Sequence, residues 1–234
     1  MASQNTSENG KMNVAIDGPA GAGKSTVARL VAETLAYVYV DTGAMYRAVT
    51  LHMLRHDIMP DNVPEVLREA RELSIDLQPD PSGQKVFCNG EDVTMEIRSR
   101  EVTGIVSRYA QIEGLRAQLV DTQRQMALRK GVVMDGRDIG TTVLPDAEVK
   151  IFMTASVQER ALRRFKELDP SDGLTLQQLE QDIATRDKLD AEREISPLRC
   201  AEDAIVLDTT EMSIREVVDK IVAYCTMARG EVGL

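Results

Sequence analysis

Gly18-Pro19-Ala20-Gly21-Ala22-Gly23-Lys24-Ser25 fits the pattern G-x-x-x-x-G-K-[ST], and it stands between the apolar run Val14-Ala15-Ile16 and a helical period from Val27 to Leu35. A strand, a glycine-rich turn and a helix start in that order make a phosphate-binding loop. Positions without a Cβ let backbone N–H groups approach a polyanion, at a helix N-terminus that carries about half a positive charge. The pattern gives Gly18, Pro19, Ala20, Gly21, Ala22 and Gly23 to the cradle. It puts Lys24 on the β- and γ-phosphate oxygens, the Ser25 hydroxyl on Mg²⁺ and Thr26 at the α-phosphate. The ligand it implies is ATP or GTP. The stretch is silent on what receives the phosphate.

Composition bounds the rest. At 234 residues and 43% hydrophobic, the chain suits one α/β domain with insertions around a single core. A net charge of −10, no Trp and 3% aromatics argue against a nucleic-acid partner, so local arginines must hold any anionic ligand. Cys88, Cys200 and Cys225 are scattered without C-x-x-C spacing, which points to neither a disulfide framework nor a zinc site and fits a cytoplasmic protein. Residues 1–10 are polar and read as a disordered tail. Neither a signal peptide nor a membrane span is expected, because no apolar run approaches about 20 residues.

In chain order, Met12 to Ile16 predicts a buried strand, Lys24 to Leu35 an amphipathic helix, and Tyr37 to Val40 a second strand that ends at Asp41. Thr42-Gly43 breaks that strand and a helical period resumes from Ala44 to Arg55. His52 and His56 share the i, i+4 spacing of metal ligands, but there is no Glu after the first and no third ligand, so surface histidines are the default. After a helix from Val63 to Leu73, Ser74 to Thr94 switches to short alternating runs around Pro79-Asp80-Pro81-Ser82-Gly83 and Asn89-Gly90 turns: a small β-insert. Two helices, Glu101 to Tyr109 and Gly114 to Arg129, lead to the strand Val132-Val133-Met134. That strand runs into Asp135-Gly136-Arg137-Asp138, a charge cluster where α/β folds place ligand groups. Val149 to Met153 predicts a fourth strand. Ser156 caps a helix to Leu168 that bears Arg160, Arg163 and Arg164, and Asp169 to Gly173 reads as a loop. Leu174 to Glu194 is a highly charged helix stopped by Ser196-Pro197, Ala204 to Leu207 a fifth strand, and Ser213 to Ala228 a closing helix.

Four stretches then carry a resemblance: Asp17 through Ser25, Asp41-Thr42-Gly43-Ala44-Met45-Tyr46-Arg47, Asp135-Gly136-Arg137-Asp138-Ile139-Gly140, and Arg186-Asp187 through Ser196-Pro197-Leu198. In this order and at these separations the chain resembles the bacterial cytidylate kinases over about residues 12 to 227. The resemblance implies an α/β P-loop NTPase fold with a five-stranded parallel sheet flanked by helices. Its core would be residues 11–41, 131–154 and 199–234, with an acceptor-nucleotide region at about 42–130 and a mobile lid at about 155–198. The activity it implies is transfer from ATP, with Mg²⁺, to CMP and also dCMP, and a monomer is expected. Family acceptor positions fall on Thr42, Tyr46, Arg47, Ser107, Arg116, Arg137, Asp138, Arg186, Asp190 and Arg193. Ser107, Arg116 and Asp138 would read the cytosine edge, Asp190 the ribose hydroxyls, and Arg47, Arg137 and Arg186 the phosphate. Arg160 and Arg163 resemble lid residues that act on transfer. Relatives often carry Ser where Thr42 stands, which keeps the hydroxyl, and Pro where Glu113 stands.

These residue types suit the chemistry without the analogy. Two polyanions must be brought together, and arginine forks align phosphate bidentately. The attacking group is already an anionic phosphate oxygen, so no general base is needed and direct in-line transfer without a covalent intermediate suffices. Three other readings stand beside this one. A GTPase-type switch needs N-K-x-D, and no Asn here precedes a Lys. A gluconate- or shikimate-type kinase shares the loop but needs neither the β-insert nor two arginine clusters. The third is a kinase for another nucleoside monophosphate such as UMP.

Overall fold

The structure is a computed structural model that describes residues 10–80, 83–167 and 173–232. Residues 1–9 of the expected tail, Pro81-Ser82 of one expected turn and residues 168–172 of the expected loop lie outside those residues.

β1 (Asn13–Asp17), β2 (Val38–Asp41), β6 (Val132–Gly136), β7 (Val149–Thr154) and β8 (Ile205–Asp208) form the five-stranded parallel sheet, ordered β2-β6-β1-β7-β8. The run of β-branched and small apolar residues in β1 reflects burial on both faces. Val14 and Ile16 pack with α1 (Lys24–Leu35) and α8 (Ile214–Val232), while Ala15 packs on the opposite face with Val40, Met134 and Val120 of α5 (Glu113–Ala127). Parallel register then decides what meets at the carboxyl edge: Ile16 lies beside Asp135, Asp17 beside Gly136, and Asp41 beside Asp135. Every motif with phosphate or base chemistry leaves the sheet at this edge, the usual ligand crevice of such folds.

The region expected to bind the acceptor is built on α2 (Thr42–Arg55), α3 (Val63–Glu72), α4 (Arg100–Tyr109) and α5, which share a core of Met45, Val49, Met53, Val106, Tyr109 and Leu115. The β-insert is an antiparallel sheet of β3 (Ile75–Asp80), β4 (Gly83–Cys88) and β5 (Glu91–Asp92), packed on α2 through Val86, Cys88 and Val93. Pro79-Asp80, expected in a turn, belongs to β3 and pairs with Gln84 and Gly83. β3 is an edge strand, where a proline without N–H is tolerated. The stretch expected to be a lid carries α6 (Val157–Glu167) and α7 (Leu176–Glu192), joined by Ala161, Leu179 and Ile183. Thr175 and Gln178 form a reciprocal capping box that starts α7.

Two local departures from the sequence reading matter for the site. α2 begins at Thr42, because the Asp41 carboxylate accepts from the Ala44 N–H at 2.8 Å and turns the strand end directly into a helix cap. After β6, residues Ile139–Val143 form a single π-helical turn that no periodicity announced.

Candidate active site

The donor loop is held open by its own geometry. Gly18 has φ +149°, and a Cβ there would sit 2.0 Å from the Met153 carbonyl oxygen. Gly23 takes φ +81° as it caps α1, and no side chain caps that helix, so its first N–H groups stay available to an anion. Lys24 is 5% exposed, with Nζ donating to the Pro19 carbonyl oxygen at 2.8 Å. Burial, then the nearby Arg137, pushes the Lys24 ammonium well below the ordinary lysine range. A phosphate would reverse that cost by supplying the missing opposite charge.

Beneath the loop, Asp135 is fully enclosed. Ser25 Oγ donates to its Oδ2 at 2.9 Å and Tyr39 Oη to its Oδ1 at 2.9 Å. Burial and the Asp41 carboxylate push Asp135 above the usual carboxylate range. A hydroxyl and a carboxylate converging beside a phosphate loop form the hard-oxygen donor set that suits Mg²⁺, which takes few protein ligands and completes its shell with phosphate and water. The buried carboxylate without a cation in contact fits that group.

Across the cavity the arginines expected to hold the acceptor are paired with carboxylates. Arg47 Nη2 donates to Asp41 Oδ2 at 3.0 Å, and Arg98 lies 3.6 Å from the same oxygen. Arg137 Nε donates to Asp190 Oδ2 at 2.8 Å; burial alone would raise Asp190, but Arg137 holds it low. Burial and Arg137 together push Arg186 down to about 10. Arg116 pairs with Asp138 in a buried contact and stacks over the Tyr46 ring at 5.5 Å, while Arg193 lies 3.7 Å from Asp138. Thr42 Oγ1 donates to the Asp135 carbonyl oxygen at 2.6 Å, and Ser107 on α4 faces the same space. Buried Tyr46 Oη, Arg47 Nε, Arg116 Nε, Arg186 Nε and Arg193 Nη2 have no hydrogen-bond partner among the described residues. Buried polar groups are rarely left so, and five on one cavity wall are places for a ligand's acceptors and donors.

Donor and acceptor groups open into one cavity of about 810 Å³. Of the two lid arginines singled out, Arg163 lines it and grips the Thr209 carbonyl oxygen at 2.6 Å. Arg160 stands behind it, 4% exposed, with its guanidinium on the Ala20 carbonyl oxygen at 2.9 Å and on Asp187 at 2.6 Å. In this conformation Arg160 braces the phosphate loop against the lid, and Arg164 takes a cavity position beside Arg163. The sequence reading gave no role to Asp41, Asp135 or Arg98. The first two sat inside quoted motifs, and only the parallel register reveals that they converge. Arg98 is the last residue of a short 3-10 turn that follows the β-insert, and it carried no signal. His52 faces Glu69 at 3.3 Å and His56 Nδ1 meets the His52 carbonyl oxygen; among the described residues these form no metal cluster.

With this geometry in place, known proteins supply a comparison. The structure overlays a gluconokinase from Sinorhizobium meliloti 1021 at TM-score 0.51 and 12% identity over 95% of this chain and 96% of that one, a likeness of fold alone. Sequence comparison is closer. A cytidylate kinase of Anoxybacillus flavithermus is 53% identical over 215 residues, covering 90% of this chain and 94% of that protein. One of Bacillus velezensis is 54% identical over 212 residues, covering 90% and 95%. The family model described as cytidylate kinase matches residues 14–227, a span that includes the phosphate loop, both arginine clusters and the lid, and the chain belongs to that family.

Proposed function

We propose that this protein transfers the γ-phosphoryl group of ATP to CMP, and also to dCMP, giving CDP or dCDP and ADP. The observation that carries this reading is the single cavity onto which the phosphate loop and the Arg116–Asp138 pair both open. Arg47, Arg137 and Arg186 bind and orient the acceptor phosphate, so its oxygen attacks in line with the bond to the leaving ADP. Lys24 and the uncapped N–H groups of α1 stabilise the charge spread over the transferring group. Ser25 and Asp135 would hold Mg²⁺, which would supply further positive charge to the phosphate oxygens. The lid residues 155–198 exclude water, the competing nucleophile, when they close over both nucleotides. The protein works on small nucleotides rather than nucleic acid, as a monomer in the cytoplasm. Its three free cysteines fit a reducing compartment. Among the described residues no helix is long and apolar enough to cross a membrane.

A panel of phosphate acceptors with one purified sample tests the assignment. CMP and dCMP are expected to release ADP from ATP in a coupled assay, with UMP, AMP, gluconate and shikimate far behind. Preferential turnover of gluconate or shikimate would move the protein to the small-metabolite kinases.

Asp190 provides a finer prediction. It is buried, its Oδ2 is held by Arg137, and it lines the cavity where the ribose is proposed to bind. Asp190→Ala is expected to lower kcat/KM for CMP at least about tenfold more than for dCMP, which lacks the 2′-OH, because one hydrogen bond to a charged group contributes about 1.5–3 kcal/mol. Equal losses for the two substrates would remove Asp190 from ribose recognition.

A further inference from the structure

Asp138, which the proposed function places against the acceptor base, occupies the cap position of the Ile139–Val143 turn. An aspartate there normally spends its carboxylate on the first N–H groups of its own turn. Asp138 does not: its side chain makes no cap hydrogen bond and lies instead on Arg116 and Arg193. The turn's orphan donors are taken by a residue 122 positions away in the chain. Asp17 Oδ1 accepts from the Ile139 N–H at 2.8 Å and Asp17 Oδ2 from the Gly140 N–H at 2.7 Å. Asp17 ends β1, immediately before the first glycine of the phosphate loop, and is 4% exposed. Single π-helical turns recur at functional sites, and this one is closed by Thr142 and Val143 N–H bonds to the Asp138 carbonyl oxygen at 2.8 and 3.2 Å. Burial pushes the Asp17 carboxyl up to about 6, against the pull of the Gly140 and Ile139 N–H groups and of Lys24.

We propose that Asp17 is a positioning residue for the acceptor base: by capping the 139–143 turn in place of Asp138, it leaves the Asp138 carboxylate free to read that base. The proposal rests on the base-reading role given to Asp138 above. Without the surrogate cap, the Asp138 carboxylate turns back onto its own N–H groups and selectivity is lost. The phosphate loop keeps its shape, because that shape is set by its glycines and by Lys24.

Steady-state kinetics of Asp17→Asn and Asp17→Ala, with CMP, UMP and ATP varied in turn, test this. Asparagine keeps the volume but turns an amino group toward one of the two donors, so it cannot accept from both. Expected in both variants are a fall of at least about tenfold in kcat/KM for CMP, a narrowed CMP-to-UMP ratio, and a KM for ATP within about twofold of wild type. CMP and UMP falling in parallel, with the ratio unchanged, would reduce Asp17 to structural support and overturn the proposal. Should neither variant fold, amide hydrogen exchange in the wild type decides: slow exchange at Ile139 and Gly140 in the nucleotide-free protein supports the surrogate cap, and exchange at the free-peptide rate overturns it. A wild-type protein that prefers UMP or ignores CMP would overturn the reading of Asp138 itself, an outcome distinct from either.

Discussion

Lys24→Ala is expected to lower kcat for phosphoryl transfer at least about 100-fold while leaving the melting temperature unchanged or slightly raised. The two halves have separate causes. In the nucleotide-free protein Lys24 is a desolvated cation whose one hydrogen bond goes to the Pro19 carbonyl oxygen, and burial disfavours its charge. Deleting it relieves that desolvation cost, which offsets the loss of its buried stem and of its attraction to Asp135 and Asp17, so circular dichroism and thermal unfolding are expected to show an intact fold. In the reaction the same ammonium lies where charge develops on the transferring group, and a preorganised donor of this kind is typically worth about 10²- to 10³-fold in kcat. Retention of more than about a tenth of wild-type kcat would remove Lys24 from the transfer step.

The second large effect is expected at Asp138, and it depends on which replacement is made. Asp138→Ala leaves Arg116 and Arg193 buried without their counter-charge, and breaking a buried pair on one side costs about 3–5 kcal/mol. Both stability and activity are therefore expected to fall. Asp138→Asn separates the two consequences, because it keeps the volume and one acceptor oxygen. Cytosine presents an amino donor at C4 and acceptors at N3 and O2, whereas uracil presents a C4 carbonyl and an N3–H. A carboxylate facing uracil meets another acceptor, while the asparagine amino group can donate to the C4 carbonyl. Asp138→Asn is thus expected to narrow the CMP-to-UMP ratio of kcat/KM by at least about tenfold, the loss with CMP being accompanied by a gain with UMP. Unchanged selectivity in Asp138→Asn would show that the base is read elsewhere.

Much of this arrangement was legible in the chain because it is local. The phosphate loop, the helix from Lys24 to Leu35 and the strands on either side are written in consecutive residues, and the β-insert in an alternation with its own turns. The five strands were legible as apolar runs between helical periods, and their assembly into one parallel sheet was implied by the family resemblance. What stayed hidden is what parallel register creates. Asp41 and Asp135 are 94 positions apart and become neighbours only when β2 pairs with β6. Asp17 meets Gly140 through a side chain, not a ladder bond, and side-chain reach leaves no trace in periodicity. Gln84 is a similar case: from β4 its amide donates to the Tyr39 carbonyl oxygen at 2.6 Å and accepts from the Asp41 N–H at 3.1 Å, so it extends the free edge of β2 as a backbone peptide would. The lid arginines were legible as a cluster. Which of them faces the cavity, Arg163 and Arg164 rather than Arg160, depends on how α6 is rotated against the phosphate loop.

Recognition of cytosine by the buried Arg116–Asp138 pair is the claim on which the assignment turns. Its most direct test is the kcat/KM of the wild-type protein for CMP and for UMP, measured side by side at saturating Mg-ATP. Each buried polar group left unpaired by the wrong base costs about 1–3 kcal/mol, and several such losses together discriminate strongly. The account predicts a CMP-to-UMP ratio of at least about 100; equal efficiency with the two nucleotides would contradict it and assign the protein to a broader class of pyrimidine nucleotide kinases.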